Sequence, residues 1–403
     1  MNICFLSLEH HSLGQGGGIA SYLDALVPGL AGLGHEIHII VKSKTSRTTK
    51  LEDGAYLHEF RGGNIHWYLS RLPLIGQMVA LPVREIEWSL GFYRKLRALG
   101  REHRPDIIEG SETGNLLVAL CVRKIPLVIR LHGSTYSFEK STMGRASIGA
   151  KLDRVLQRFC LCKARGISAP SNFQKDMVDR KAHRKNLLEV IPNPVRAFNA
   201  DEIRTSRLQA SKMIFYAGRI ADVKGIWTLL KAFMHIVAII PEARLVMAGS
   251  SHISVPESVL QRFLKDNRIA DKVTLTGYIE RDRIGEYYKA CAVYAAPSYY
   301  ETFCISAVEA MLFEKPVVAS SGTATEEIVR DHETGFLVPP GDDVALATAI
   351  TRLLRDEQLS SRMGKAGKEE ALSRFGPDVV ALRTLAFYRR LIGEPLNKHI
   401  IAS

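Results

Sequence analysis

Gly218-Arg219 and Lys224-Gly225 place two cations five residues apart, between the apolar run Met213–Ala217 and a helical pattern that opens at Ile226. An arginine fork and a lysine point charge beside a helix N-terminus make a clamp for a diphosphate. Taken alone, the same pair reads equally well as surface charge. Further along, Glu301 and Glu309 lie eight residues apart in Pro-Ser-Tyr-Tyr-Glu-Thr-Phe-Cys-Ile-Ser-Ala-Val-Glu. The first falls in a loop and can reach a sugar. The second falls about two turns into a helix and can reach ribose hydroxyls. Backbone N–H groups of Phe303, Cys304 and Ile305 can point at a ligand from that helix's start. The plainer alternative is a pair of solvated glutamates at a helix end.

In the first half, Gly16-Gly17-Gly18 follows the first apolar run and precedes a helix at Ile19. Glycines there let backbone N–H groups approach an anion, or simply turn a strand into a helix. Gly14 and Gly16 fit the first two positions of Gly-x-Gly-x-x-Gly, but Ile19 stands at the third, which disfavours a nicotinamide-dinucleotide domain. His132-Gly133 ends the run Leu127–Leu131. A histidine at a strand's carboxyl end faces the ligand crevice and can hydrogen-bond a hydroxyl or handle a proton, or it is a satisfied structural histidine. Asn193, between two prolines, reads as structural. No Asp-x-Asp occurs in the chain, so phosphates must be neutralised by Arg and Lys rather than by a metal held on that motif. The six cysteines contain no Cys-x-x-Cys pair and fit a reducing compartment.

Elements must position these groups. Strands are expected at Ile3–Leu8, Glu36–Val41, Ile107–Glu109, Leu127–Leu131, Gly166–Ala169 and Leu188–Ile191. A second series is expected at Met213–Ala217, Arg244–Ala248, Val273–Thr276, Ala292–Ala296 and Pro316–Ala319. Helical patterns fit between them at Ile19–Leu33, Ile226–Ile240, Val259–Asn267, Arg281–Ala290, Ser306–Phe313 and Val344–Leu354. Continuous apolar runs alternating with helices mean parallel sheets covered on both faces. The rhythm breaks once, at the polar stretch Pro194–Lys212, read as a linker. This predicts an α/β chain of two doubly wound Rossmann-like domains facing each other across a cleft. Their bounds would be residues 1–195 and 196–377, with a last helix in residues 378–403 packing back on the first domain. The chain length of 403 residues suits two to three domains.

Charge is one-sided. Residues 1–200 hold 28 Lys and Arg against 17 Asp and Glu, a net +11, whereas the rest of the chain carries +1. Such a field attracts acidic lipid, nucleic acid or phosphorylated substrates. Leu72–Val83 has Gln77 as its one polar residue and is bracketed by Arg71 and Arg84. It is too short to span a bilayer, and reads either as a buried segment or as an interfacial, lipid-acceptor lip. The N-terminus reads as a strand with no signal peptide, so the expected location is cytoplasmic, with peripheral attachment at the inner face of the membrane as an option.

Together these pieces resemble glycosyltransferase family 4, the retaining GT-B enzymes. The resemblance runs through Gly16–Gly18, Gly34-His35-Glu36-Ile37-His38, Arg130-Leu131-His132-Gly133 and Ala169-Pro170-Ser171. It continues through Gly218-Arg219 with Lys224-Gly225, the Glu301-x7-Glu309 block, Glu314-Lys315-Pro316-Val317-Val318-Ala319 and Gly335-Phe336-Leu337-Val338. It implies a UDP- or GDP-sugar bound mainly by the second domain without a metal cofactor. Arg219 and Lys224 would hold the diphosphate and Glu309 the ribose. Glu301 and the following amides would meet the sugar hydroxyls, His132 would contact the donor sugar, and Gly277-Tyr278-Ile279 would lie near the base. Three departures from the family pattern crowd the backbone there: Cys304 where glycine is usual, Ser250-Ser251 after Gly249, and Thr323-Ala324 before Glu327.

The reaction implied is transfer of a hexosyl group to an acceptor hydroxyl with retention, by front-face attack. The acceptor expected from the basic first half is a lipid-linked or polysaccharide intermediate of bacterial surface-glycan synthesis. The partners expected are this donor, a glycan or lipid-linked acceptor and an anionic membrane surface, with no nucleic acid. A nucleotide-sugar 2-epimerase on a similar fold would need no acceptor. A basic polyanion- or membrane-binding protein with a vestigial donor site would bind polyanions in a salt-sensitive way and turn nothing over.

Overall fold

Runs of Ile, Val, Leu and Phe flanked by Gly and polar turns become strands in the computed structural model, which describes residues 1–14, 16–72, 75–133, 148–178, 187–198 and 212–394. The chain divides into two units, Met1–Pro194 together with the chain from Pro377 on, and Val195–Gly376. Of the stretch expected as a linker, residues 199–211 lie outside the described residues.

In the first unit the strands are Asn2–Ser7 (β1), Glu36–Ser43 (β2), Thr48–Lys50 (β3), Tyr56–Arg61 (β4), Ile107–Ser111 (β5), Leu127–Arg130 (β6), Gly166–Ala169 (β7) and Leu187–Val190 (β8). The helices are Gly18–Gly32 (α1), Ile65–Leu69 (α2), Ile75–Leu99 (α3), Leu116–Cys121 (α4), Ile148–Lys163 (α5) and Asn172–Met177 (α6). The sheet order is β3-β4-β2-β1-β5-β6-β7-β8, parallel except for the β3–β4 pair. Ile3 pairs with Ile37 on one side and Ile107 on the other, and all three are fully buried. The segment Leu72–Val83 is mostly the opening of α3. Leu72 and Met78 are exposed, Gly76 is buried and residues 79–83 are half-buried; residues 73 and 74 lie outside the described residues.

In the second unit the strands are Met213–Ala217 (β9), Arg244–Ala248 (β10), Val273–Gly277 (β11), Val293–Ala296 (β12), Val317–Ser320 (β13) and Gly335–Val338 (β14). The helices are Ile226–Ile239 (α7), Glu257–Asp266 (α8), Arg281–Ala290 (α9), Ile305–Leu312 (α10), Asp343–Arg355 (α11) and Glu357–Phe375 (α12). Every pairing in the order β11-β10-β9-β12-β13-β14 is parallel. Apolar clusters lie on both faces, one under α7 and α11 and one under α10 and α12.

The last helix, Pro377–Ile392 (α13), belongs to the first unit. It buries Val380, Leu385, Phe387 and Tyr388 on the same cluster as α1. At roughly 1.5–3 kcal/mol for each large side chain removed from water, that face holds the helix in place. Polar contacts add register. Tyr22 and Tyr388 hydroxyls donate to the two oxygens of Glu109, at 2.7 and 2.8 Å, in the core. The strand order of each sheet reverses between β1 and β5 and between β9 and β12, which are the points where doubly wound sheets hold ligands at the strands' carboxyl ends.

Candidate functional site

In the second unit the reversal point carries the charged groups. Gly218 and Arg219 leave β9 exposed, and the Arg219 carbonyl is held by the Tyr216 hydroxyl at 2.7 Å. Asp222–Lys224 forms a short 3-10 turn closed by Gly225 at φ +69°. A β-carbon at Gly225 would come within 1.8 Å of the Pro297 carbonyl oxygen, so only glycine lets this loop lie against the loop after β12. The close approach aligns two loops: Tyr299 N–H donates to Val223 O at 2.9 Å, and Lys224 Nζ donates to Glu301 Oε1 at 2.7 Å. Ser298 Oγ donates to the same Glu301 oxygen at 3.0 Å. Lys224 and Glu301, sought separately in the sequence, form one partly buried ion pair across the two strand ends.

Glu309 is not a solvated helix-end glutamate. It is buried on α10, where Oε1 accepts from Arg281 at 3.0 Å and Oε2 from the Tyr288 hydroxyl at 2.8 Å. Arg281 in turn donates to the Arg196 carbonyl and lies over the Phe198 ring. Burial and the neighbouring Glu309 hold the Tyr288 hydroxyl in its neutral form. Both carboxylate oxygens keep a second lone pair for a further donor. Arg281 and Tyr288 were not singled out in the sequence. Their only signal was their place on the helix after the Gly277-Tyr278-Ile279 turn.

Cys304 caps α10 at φ +79° and ψ +68°, the left-handed region that favours glycine. It is buried, and burial beside Glu301 pushes its thiol up to about 12. Phe303 packs edge-on to Phe375 at 5.4 Å, and Ile279 and Ile305 rest on the same cluster. Ala324 donates its N–H to the Glu301 carbonyl at 3.3 Å. The set from β9, β12 and α10 therefore presents Arg219, Lys224, Glu301 and the start of α10 at one sheet end.

The first unit carries its own set. Gly17 stands just before α1, and a β-carbon there would come within 2.1 Å of Glu9 Oε2. The glycine run thus accommodates the chain's own carboxylate at the helix start, while Gly16 and Gly18 flank it. His132 follows β6, half-buried and edge-on to Tyr22 at 5.1 Å. Its backbone N–H and that of Gly133 donate to Glu112 Oε1 at 2.9 and 3.2 Å. Burial and the adjacent Arg130 push the imidazole down to about 3, so at neutral pH it is an uncharged hydrogen-bonding group. Arg130 is buried and donates to Asn193 Oδ1 at 2.6 Å, which gives Asn193 its structural role.

A cavity of about 580 Å³ opens at the carboxyl ends of β2 and β4, lined by Lys42, Lys44, Arg61, Asn64 and Trp88 among others. Lys42 donates to Gly63 O and Asn64 Oδ1 and lies over the Trp88 ring. The sequence pointed to a basic half but not to this cavity, because β4 mixes His58, Glu59 and Arg61 with its apolar residues and carries no continuous apolar run.

Comparison with known proteins follows this division. The Glycosyl transferases group 1 family matches residues 199–370, and Glycosyltransferase Family 4 matches residues 16–197. An α-D-kanosaminyltransferase of Streptomyces kanamyceticus is 24% identical over 277 residues, 66% of this chain and 71% of the relative. A D-inositol 3-phosphate glycosyltransferase of Streptomyces avermitilis is 26% identical over 407 residues, 94% of this chain and 84% of the relative. One of the same name from Xylanimonas cellulosilytica is 32% identical over 200 residues, about half of each chain, at 49% and 47%. Among solved structures, sucrose-phosphate synthase from Thermosynechococcus elongatus superposes with a TM-score of 0.77 at 22% identity, over 97% of this chain and 99% of that one. Anabaena HepE, solved with UDP-glucose, gives 0.70 at 18% identity, over 97% and 100%.

Proposed function

This chain belongs to glycosyltransferase family 4, with the GT-B fold, and on that premise we propose that it is a retaining hexosyltransferase acting on a nucleoside-diphosphate sugar without a metal ion. The acceptor we assign is the hydroxyl of an anionic lipid-linked or polysaccharide intermediate. The observation that carries the donor half is the Lys224–Glu301 pair, with Arg219 beside it, at the reversal point of the second sheet. HepE, the fold neighbour solved with UDP-glucose, supports a nucleotide sugar as donor. The cavity lined by Lys42, Lys44 and Arg61 supports an anionic acceptor.

Charge grows on the β-phosphate as the bond to the sugar breaks. Arg219, Lys224 and the N–H groups opening α10 would stabilise that charge more than the ground state does. Lys224 reaches the leaving group already fixed by Glu301, so little side-chain freedom is lost when the phosphate arrives. Glu309, fixed by Arg281 and Tyr288, would receive the ribose hydroxyls on its free lone pairs. Glu301 would meet the sugar hydroxyls. His132 is a neutral partner for a sugar hydroxyl rather than a proton shuttle, because protonating it near pH 7 is strongly disfavoured. The departing phosphate takes the acceptor's proton as the new bond forms on the same face. The relatives above are transferases, and nothing in the site favours the acceptor-free epimerase.

A thermal-shift panel of nucleoside diphosphates and nucleotide sugars tests the donor half, since a ligand that binds only the folded chain raises the unfolding temperature. One base should stand out. Arg219→Ala and Lys224→Ala should each weaken that diphosphate by about 10- to 100-fold, the size of a lost charge-assisted contact. Glu301→Gln should keep diphosphate binding and lose transfer. An unchanged shift in both cation variants would place the nucleotide elsewhere.

A further inference from the structure

At the opposite end of the first sheet, where the parallel strands begin, three histidines and a glutamate converge. Glu36 opens β2 and His38 lies two residues on, so both side chains leave the same face of the strand. His103 comes from the turn between α3 and β5, held by its N–H to Leu99 O at 2.8 Å. Glu36 Oε1 stands 3.2 Å from His38 Nε2 and 3.0 Å from His103 Nδ1. One donor atom from each of the three residues falls within 4.8 Å of the others.

Two observations separate this cluster from a chance gathering of surface polar groups. His38 is 1% exposed, yet among the described residues its Nε2 has no hydrogen-bond partner, Glu36 included. The nitrogen is buried and aims at the space between Glu36 and His103. Its other nitrogen is engaged: His38 Nδ1 lies 3.0 Å from His58 Nε2, and His58 Nδ1 lies 3.0 Å from Thr48 Oγ1. If His38 Nδ1–H donates to His58 and His58 Nδ1–H donates to Thr48, Nε2 is left with a bare lone pair. This is the tautomer a metal-binding imidazole takes when its far N–H is held by a neighbour.

We propose that Glu36, His38 and His103 bind a divalent transition-metal ion of the zinc class, with water in the remaining position. Two imidazoles and a carboxylate suit zinc. With bonds of about 2.0–2.1 Å, ligand atoms on a tetrahedron lie about 3.3 Å apart, close to the separations of Glu36 Oε1 from both nitrogens. Glu36 and His103 are exposed enough to admit the ion and its water. The site lies at the amino-terminal strand ends, away from the loops that carry His132 and the basic cavity. It would tie the α3–β5 turn to β2 and take no part in transfer.

The test uses the full chain with no histidine tag, stripped with chelator and titrated with zinc sulfate by calorimetry. Wild type should take up one equivalent and unfold at a higher temperature when loaded. Glu36→Gln and His103→Ala, both at exposed positions, should weaken zinc at least tenfold while leaving the nucleoside-diphosphate thermal shift unchanged. Cobalt(II) added to wild type should develop intense visible ligand-field bands, and these should fade in both variants. The proposal is overturned if the stripped chain takes up no zinc. It is equally overturned if both variants bind like wild type, or if cobalt keeps the weak spectrum of its aqua ion.

Discussion

Cys304 shows how a single residue can depart from its family's pattern without removing a charged group. The backbone at the start of α10 is left-handed whatever side chain sits there, because Phe303 and Ile305 are anchored on the core at either side. An L-residue in that region costs roughly 1–2 kcal/mol relative to glycine. The thiol recovers part of this by burial among Tyr294, Ala307 and Val308. Cys304→Gly should therefore leave stability within about 1 kcal/mol of wild type, since strain relief and lost packing oppose each other. Cys304→Ala loses the packing and keeps the strain, and should be the less stable of the two. Urea midpoints of the three proteins check this; an alanine variant more stable than the glycine variant would remove the strain from the account.

Helix α3 poses a different question, since it and a partner helix bury carboxylates. Glu85 accepts N–H bonds from Gly114, Asn115 and Leu116 and so holds the start of α4. Burial, with Asp153 nearby, pushes Glu85 up to about 7 in spite of those bonds. Burial raises Asp153 as well, against Arg84 and Gln157. The folded chain then holds a proton that the unfolded chain has released between the ordinary glutamate range and about pH 7. Stability must fall as pH rises through that window and level off above it. Glu85→Gln should flatten the slope of unfolding temperature against pH from 5 to 7, and a slope unchanged from wild type would assign it to other groups. None of this was legible in the sequence, where Pro82 and the Leu72–Val83 run masked a helix of 25 residues. Strands β1, β6, β9, β10, β12 and β13 were legible because buried parallel strands are mostly apolar along their length. Strand β3 is short and exposed, β4 mixes charge with apolar residues, and α12 packs through Gly364 and Gly367, so none gives a strong periodic signal. At the candidate site the charged residues could be read from spacing. Their partners could not, because Lys224–Glu301 and Arg281–Glu309 are joined by strand order, which no local pattern encodes.

Across the whole molecule, charge and apolar exposure coincide in one half of the sequence. Residues 1–200 carry a net +11. The same region exposes Ile65, Trp67 and Tyr68 on and around α2, with Leu72 and Met78 at the opening of α3. Arg71 lies over the Trp67 ring at 3.6 Å, so a cation and an aromatic face are presented together. No helix among the described residues is long and apolar enough to cross a membrane. An acceptor carried on lipid would instead be met from the surface, by long-range attraction of cations to acidic headgroups followed by shallow entry of aromatic side chains. The first term is worth about 1 kcal/mol for each Lys or Arg near the surface and is screened within about 10 Å at 0.1 M salt. The second follows buried apolar area and is largely indifferent to salt. The two can be separated by sedimentation with vesicles rich in phosphatidylglycerol. Wild type should pellet at low salt and lose most binding as salt rises, and should ignore phosphatidylcholine vesicles. Replacing Lys42, Lys44 and Arg61 together by Gln should lower binding at low salt and flatten its salt dependence. Trp67→Ser with Tyr68→Ser should lower binding by a similar factor at every salt concentration. Failure of wild type to pellet with acidic vesicles at low salt would turn the basic half toward a free anionic glycan, held in the cavity at the ends of β2 and β4.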